Sequence, residues 1–126
     1  MKLRLVMSIL LLTGAIGAAL VCGAHLEKTA GQLAAALTEG MVAAADETAD
    51  LEPYAQKVKA IWDKNDAFYH CLLPHSSLNE LEWTLGTLEG YTAPEERELF
   101  FESCVRGLQC VATLREMEKP TWGNIF

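Results

Sequence analysis

Residues 5–24 decide the fold: LVMSILLLTGAIGAALVCGA is a run of 20 residues without a charged side chain, bounded by Arg4 and His25. Because an α-helix rises about 1.5 Å per residue, this run spans about 30 Å, which is the thickness of a membrane's hydrocarbon core. We therefore expect residues 5–24 to form a transmembrane anchor.

A cleaved signal peptide is the alternative interpretation of the same run. The chain starts with the short basic sequence MKLR, and Cys-Gly-Ala at 22–24 is an acceptable small-residue cleavage site. A lipoprotein cut before Cys22 is disfavoured because Val21 is branched. The apolar run exceeds the usual length of about 7–15 residues, and the helical pattern continues beyond it. Both features favour an anchor that is kept.

The charges beside the run predict its orientation. Lys2, Arg4 and the terminal amine precede it, whereas Lys28 is the only cation soon after it. The positive-inside rule then places residues 1–4 in the cytoplasm and residues 25–126 outside the cell membrane, as an extracytoplasmic helical domain.

Small residues form two faces within the run. Gly14, Ala18 and Cys22 recur every four residues, as do Ala15, Ala19 and Gly23. Such faces let two membrane helices approach closely, so Gly14 and Ala18 are candidates for contact with a membrane-protein partner or a second copy. The alternative is that Gly and Ala are simply common in membrane segments.

Composition excludes two classes of protein. The 126 residues are 51% hydrophobic, which rules out wholesale disorder and suits one small domain. Residues 26–126 carry 17 acidic and 8 basic side chains, a net charge of −9. A surface of that charge repels phosphate backbones, so we expect no nucleic-acid partner.

The chain beyond the run is predicted to be helical throughout. No stretch shows sustained apolar–polar alternation, and four prolines at about 20-residue intervals suit helix boundaries. These prolines are Pro53, Pro74, Pro94 and Pro120. Residues 25–48 carry an alanine-rich helical stripe, which predicts an outward extension of the membrane helix.

Three further helices are expected, each with a start signal. Asp50 is a plausible N-cap for the first; Ser77–Glu80 and Thr92–Glu95 fit capping boxes for the other two. The apolar face predicted for the first of these helices consists of Tyr54, Val58, Ile61, Phe68 and Leu72. That of the second consists of Leu78, Leu81, Leu85 and Leu88. That of the third consists of Phe101, Cys104, Leu108, Val111 and Leu114, widened by Phe100 and Val105. The fold class is therefore all-α: an N-terminal transmembrane helix followed by an antiparallel helical bundle.

Several of these features recur together in one family. They are the basic start with one span, Trp62 late in a helix, HSSL at 75–78 entering a leucine-striped helix, and the ending NIF at 124–126. The chain resembles the small single-span, membrane-anchored bacterial proteins catalogued as domain of unknown function 4363. The resemblance covers nearly the whole chain and implies a membrane-anchored helical protein without supplying catalytic residues. The Ala-rich region 30–48 departs from the more charged helix expected there.

The densest polar cluster surrounds the second predicted turn and contains His70, Cys71, His75, Glu80 and Glu82. Cys71 and His75 have a spacing found in metal sites, but Pro74 separates them and no second pair completes four ligands. A cysteine nucleophile would need an orienting carboxylate and an oxyanion hole, for which no motif exists. We therefore expect no metal, no cofactor and no catalytic residue.

Aromatic residues and cysteines supply the remaining candidates. Residues that could serve in interaction or structure are Trp62, Tyr69, His75, Trp83 and Trp122. Tyr69 and Trp83 lie off the predicted stripes, although most aromatic residues at helical spacing are core. Outside the membrane, Cys71 could form a disulfide with Cys104 or Cys110, although three buried thiols fit the pattern equally.

The function expected from the sequence is a non-enzymatic interaction or structural module at the outer face of the cell membrane. Helical bundles with apolar seams and polar exteriors suit binding or assembly. The alternative is a small cysteine- or carboxylate-dependent hydrolase acting on envelope material, which would need reactive groups from separate helices to meet in one pocket.

Overall fold

The computed structural model describes residues 1–118, and this part of the chain is all-α. It contains α1 (Lys2–Ala45), α2 (Glu52–Leu72), α3 (His75–Leu88) and α4 (Arg97–Glu118). Two 3₁₀ turns, Glu89–Tyr91 and Pro94–Glu96, connect α3 to α4. No strand occurs within residues 1–118, so the predicted fold class is confirmed.

Helix α1 is one continuous helix with two different halves. Its first half is apolar on every side: an 18-residue window has mean hydropathy 2.4, and none of that window is buried against the chain. By length and composition this half can cross a membrane. From Leu26 onward the helix enters the bundle, and it buries the stripe Leu26, Thr29, Ala30, Leu33, Ala36, Leu37, Gly40, Ala43 and Ala44.

The second half of α1 and the other three helices run up, down, up and down. Helix α1 packs mainly against α2 and α4, and α3 packs against the same two helices from the other side. Thr29 lies beside Tyr69 and Glu39 beside Lys57, so α2 is antiparallel to α1. The α2–α3 turn therefore lies at the end of the bundle where α1 enters, which we call the proximal end.

Two glycines set the close approach of α1 and α4. A Cβ atom added at Gly40 would lie 3.3 Å from the Cys104 sulfur and 3.3 Å from the Phe100 ring. A Cβ added at Gly107 would lie 3.1 Å from a Leu37 methyl group. Each helix thus presents a glycine to a larger side chain of the other, and the surfaces of the two helices pack closely at these positions.

The buried faces of α2 and α4 differ from the predicted ones. In α2 the buried residues are Ala55, Val58, Trp62, Asn65 and Tyr69, whereas Leu72 is 44% exposed. In α4 Phe100 is buried and Phe101 is exposed. In α2 the buried face lies one position beyond the predicted one, since Ala55, Trp62 and Tyr69 are buried where Tyr54, Ile61 and Phe68 were expected. In α4, by contrast, Cys104, Val111 and Leu114 are buried as predicted, and Gly107 is buried in place of Leu108. The leucine stripe of α3 is confirmed, since Leu78, Leu81, Leu85 and Leu88 are all buried.

The predicted helix starts are wrong in detail. Helix α3 begins at His75 after Pro74, so Ser77 lies inside the first turn and makes no side-chain cap. Thr92 donates to the Glu89 carbonyl instead of capping the following turn. Asp50 lies one residue before the N-cap Leu51 and accepts a hydrogen bond from the Glu52 amide at 3.2 Å. Proline sets the start of α3 because its fixed φ suits the residue before a helix.

Arg97 ties the start of α4 to the end of α1. Its guanidinium donates to the carbonyl of Asp46 at 2.6 Å, to that of Ala43 at 3.4 Å and to that of Ala49. Carbonyls at the end of a helix have no partner within the helix, and a cation there also offsets the negative end of the helix dipole. The Thr48 hydroxyl and amide bond the Asp46 carboxylate and, with the charge of Arg97, lower the pKa of Asp46.

Candidate functional site

The proximal end of the bundle gathers all three histidines of the chain. His25 is the last residue before α1 enters the bundle, and His70 and His75 lie on either side of the α2–α3 turn. The His25 ring packs edge-on against Phe68 of α2, with ring centroids 4.7 Å apart. Polar and titratable groups are therefore concentrated where the apolar half of α1 ends.

A buried hydrogen-bond group holds α2 against α1 beneath these histidines. The Tyr69 hydroxyl donates to the Leu26 carbonyl at 3.1 Å and lies 2.9 Å from the Thr29 hydroxyl. Trp62 packs on Tyr69 with ring centroids 5.5 Å apart. A buried tyrosine needs a partner for its hydroxyl, and here it finds one on α1. This contact fixes the rotation of α2 and so determines where His70 points.

His70, His75 and Glu82 form a compact cluster, which we call the histidine cluster. Nε2 of His70 lies 2.9 Å from Oε1 of Glu82, and Nδ1 of His70 lies 3.2 Å from Nδ1 of His75. The edge of the Trp62 ring approaches His70 at a centroid distance of 6.4 Å. His70 and Glu82 are half-buried, whereas His75 is exposed.

Glu82 selects the tautomer of His70. A carboxylate oxygen can only accept, so Nε2 of His70 carries the hydrogen in this contact. In the neutral ring Nδ1 then holds a lone pair, and that lone pair faces His75. The cluster thus presents one oriented imidazole nitrogen beside a second, exposed one.

The polar group predicted around this turn splits into two parts. His70, His75 and Glu82 come together, whereas Glu80 points to the α3–α4 side and lines a different cavity. That cavity measures about 310 Å³ and is lined by Ser76, Ser77, Glu80, Arg106, Gln109, Cys110 and Thr113. Cys71 is exposed at the end of α2. The i to i+5 spacing of the two histidines across a proline is the signal that sequence reasoning did not use.

The four cysteines are free thiols, so neither candidate bridge from Cys71, to Cys104 or to Cys110, is formed in the structure. The alternative of three buried thiols holds for Cys104 alone, because Cys110 is only partly buried and Cys71 is exposed. Cys104 is directed at Gly40 of α1, whereas Cys71 is exposed at the proximal end. Burial raises the pKa of Cys104 to about 12. Burial, together with the charge of Glu80, also raises the pKa of Cys110. Neither thiol has the lowered pKa of an activated nucleophile.

The other predicted residues are scattered. Trp62 and Tyr69 belong to the core, while Trp83 is 60% exposed on α3 beside a shallow cavity of about 210 Å³ that it shares with Tyr91 and Leu99. Gly14 lies in the apolar half of α1, and a Cβ atom added there would have no neighbouring atom of the chain within 4 Å. Trp122 lies outside the described residues.

Across residues 1–118, no group of three or more His, Cys, Asp or Glu side chains converges on one point where a metal ion could be held. Comparisons with family models, curated proteins and solved structures find no match to this chain.

Proposed function

We propose that this protein is a single-pass, membrane-anchored helical module, with residues 1–4 in the cytoplasm and the bundle at the outer face of the cell membrane. The observation that carries the proposal is the continuity of α1. Its first half is apolar on all sides and touches nothing in the bundle, while its second half is a core helix. A helix that is apolar all round needs an apolar surrounding, and lipid supplies it.

Retention of the anchor follows from the same continuity. Cleavage near Ala24 would remove the first half and leave Leu26, Thr29 and Ala30 at a fraying helix end, directly under Tyr69. Intact-mass analysis of protein extracted from membranes tests this. We expect the mass of the full chain, and a mature start near His25 would overturn the anchor.

The orientation rests on charge. Lys2 and Arg4 precede the span, whereas Lys28 is the only cation soon after it. A protease added to intact cells with a permeable outer envelope should digest the bundle and spare the first residues. Digestion only after the cell membrane is broken would reverse the orientation.

The bundle acts as a binding or structural module in this proposal. Its outer surface is acidic, and Trp83 with Leu99 leaves an apolar patch exposed between α3 and α4. The raised pKa of Cys104 and Cys110 gives less support to a cysteine hydrolase. Membership in the domain of unknown function 4363 family is part of this proposal and rests on the sequence alone.

Photo-crosslinking in native membranes tests the binding role. A photoreactive residue at Trp83 is compared with one at Asp63, an exposed position on α2. We expect a discrete adduct from position 83 and none from position 63. Only uncrosslinked monomer, together with hydrolytic activity that His75→Ala abolishes, would favour the enzyme alternative.

Lateral association in the membrane is tested separately. Gly14→Leu and Ala18→Leu enlarge the small face, while Thr13→Leu adds similar bulk on a different side of the helix. If the small face binds a partner helix, the first two variants weaken association in membranes and the third does not. Equal association in all three would remove this face from the proposal.

A further inference from the structure

The separation of two imidazole nitrogens in the histidine cluster matches that of two ligands on one metal ion. Nδ1 of His70 and Nδ1 of His75 lie 3.2 Å apart. Zinc binds imidazole nitrogen at about 2.0–2.1 Å with tetrahedral angles, which places two nitrogens about 3.3–3.4 Å from each other. The two nitrogens thus already have the separation that a shared ion requires, and each ring turns so that its lone pair points at the ion instead of at the other ring.

Glu82 provides the orienting contact that such sites use. Histidines that bind metals nearly always donate their other ring N–H to a carboxylate or carbonyl, which fixes the tautomer and raises the basicity of the binding nitrogen. Here Nε2 of His70 donates to Glu82 at 2.9 Å, so the free lone pair of His70 is on Nδ1, the atom that faces His75.

The protein holds these groups on a rigid hairpin. His70 lies in the last turn of α2, and His75 is the first residue of α3. The turn between them is short, and Leu78 and Leu81, just beyond it, are fully buried. Trp62, which is itself buried, lies edge-on to the His70 ring with ring centroids 6.4 Å apart. The geometry of the pair is therefore set by the core of the bundle.

We propose that His70 and His75 bind a divalent transition-metal ion of the zinc, copper or nickel class through their Nδ1 atoms, with Glu82 as the positioning residue for His70. Imidazole suits these ions, whereas magnesium and calcium prefer oxygen ligands. The ion replaces the hydrogen shared between the two nitrogens, and the hydrogen of His75 moves to its Nε2. Water fills the remaining coordination positions, because no third side chain in residues 1–118 converges on the pair.

Binding of Co²⁺ to the full-length chain in detergent tests the proposal, with its visible spectrum as the readout and Zn²⁺ as competitor. His70→Ala and His75→Ala should each weaken binding by at least about tenfold, and Glu82→Ala by about 10–100-fold. His25→Ala is the matched control, because His25 lies at the same end of the bundle but packs on Phe68. Cys71→Ser controls for the thiol beside His70.

Absence of a Co²⁺ spectrum with the wild-type chain, or binding that survives both His70→Ala and His75→Ala, overturns the site; loss of binding in Cys71→Ser reassigns it to the thiol. Helix content by circular dichroism identifies a variant that fails to fold. The wild-type chain gives a second readout that needs no variant: ¹⁵N spectra of the imidazoles should shift at Nδ1 of His70 and His75 on adding Zn²⁺, with His25 unchanged. Shifts at all three histidines alike would contradict a specific site.

Discussion

The two halves of α1 share one backbone and differ in everything that surrounds it. In the first half Leu11 is 71% exposed, and the other large apolar residues are exposed in the same way. In the second half Leu37 is fully buried. The helix runs through the change without a break. Local hydrogen bonding therefore makes the helix, while side-chain chemistry decides which solvent each half requires.

The difference in composition explains the difference in packing. The first half has no charged side chain between Arg4 and His25, and its circumference consists mostly of Leu, Ile, Val, Met, Gly and Ala. The second half concentrates Leu on one stripe, uses Ala and Gly beside it, and places polar residues such as Glu27, Gln32 and Glu39 on the outside. The glycines of the contact between α1 and α4 allow the two helices to approach closely.

The largest expected effect comes from placing charge in the first half. Leu12→Arg combined with Ile16→Arg should cost about 5–7 kcal/mol of insertion free energy, since each arginine near a helix centre costs about 2.5–3.5 kcal/mol. The variant should leave the membrane fraction that resists carbonate extraction. Glu47→Arg adds positive charge at an exposed position beyond the bundle end of α1 and should not change that fraction. A membrane-bound double variant would show that the first half is not held by lipid.

The reciprocal change is Leu37→Ala in the second half. Leu37 is fully buried and contacts the Gly107 backbone position, so its truncation leaves a cavity and should lower the free energy of unfolding by about 2–5 kcal/mol. Thermal unfolding in detergent measures this loss. Leu11→Ala makes the same chemical change in the first half, where it should leave the unfolding of the bundle unchanged. Equal losses from both variants would mean that the two halves are not independent.

The sequence predicted this division because its signals are strong. A run of 20 residues without charge predicts an apolar helix long enough to cross a membrane, and a leucine stripe at heptad spacing predicts a helix with one buried face. The faces of α2 and α4 were harder to predict. Trp62 and Tyr69 are buried because a tertiary hydrogen bond to Leu26 satisfies the Tyr69 hydroxyl, and no local pattern reveals such a partner. The same contact orients His70.

The helix starts were predicted at the wrong residues, and the contact between His70 and His75 was not predicted at all. The two errors have different physical reasons. Ser77 and Thr92 had suitable side chains, but the prolines before α3 and α4 set the helix starts elsewhere. His70 lies on α2 and His75 on α3, so the spacing of residues along one helix does not predict that their side chains are neighbours. Only the turn at Pro74 brings their rings together. Interactions that depend on the angle between two helices are invisible to a periodicity argument.

The contact of Arg97 with the end of α1 is expected to contribute measurably to the stability of the bundle. Arg97→Gln removes the charge and most of the donors that reach the carbonyls of Ala43, Asp46 and Ala49. Hydrogen bonds from charged groups contribute about 1.5–3 kcal/mol, so we expect an unfolding free energy lower by about 2 kcal/mol. Arg106→Gln removes the same charge from an exposed position on the same helix and should cost less than about 0.5 kcal/mol. Equal effects would assign the loss to net charge alone.

The smallest expected effect separates two glycines within the second half of α1. Gly31 has open space where a Cβ would lie, so Gly31→Ala should stabilise the helix by about 0.5–1 kcal/mol through backbone entropy. At Gly40 the same Cβ would press on Cys104 and Phe100 at 3.3 Å, and overpacking of this kind costs about 1–3 kcal/mol. Gly40→Ala should therefore give no gain or a net loss. Chemical denaturation in detergent measures the unfolding free energy of both variants. Adding Cys104→Ala to Gly40→Ala should recover part of the loss, because it removes the sulfur that the new methyl group meets. An equal gain from both single variants would mean that α4 does not approach α1 as closely as Gly40 indicates.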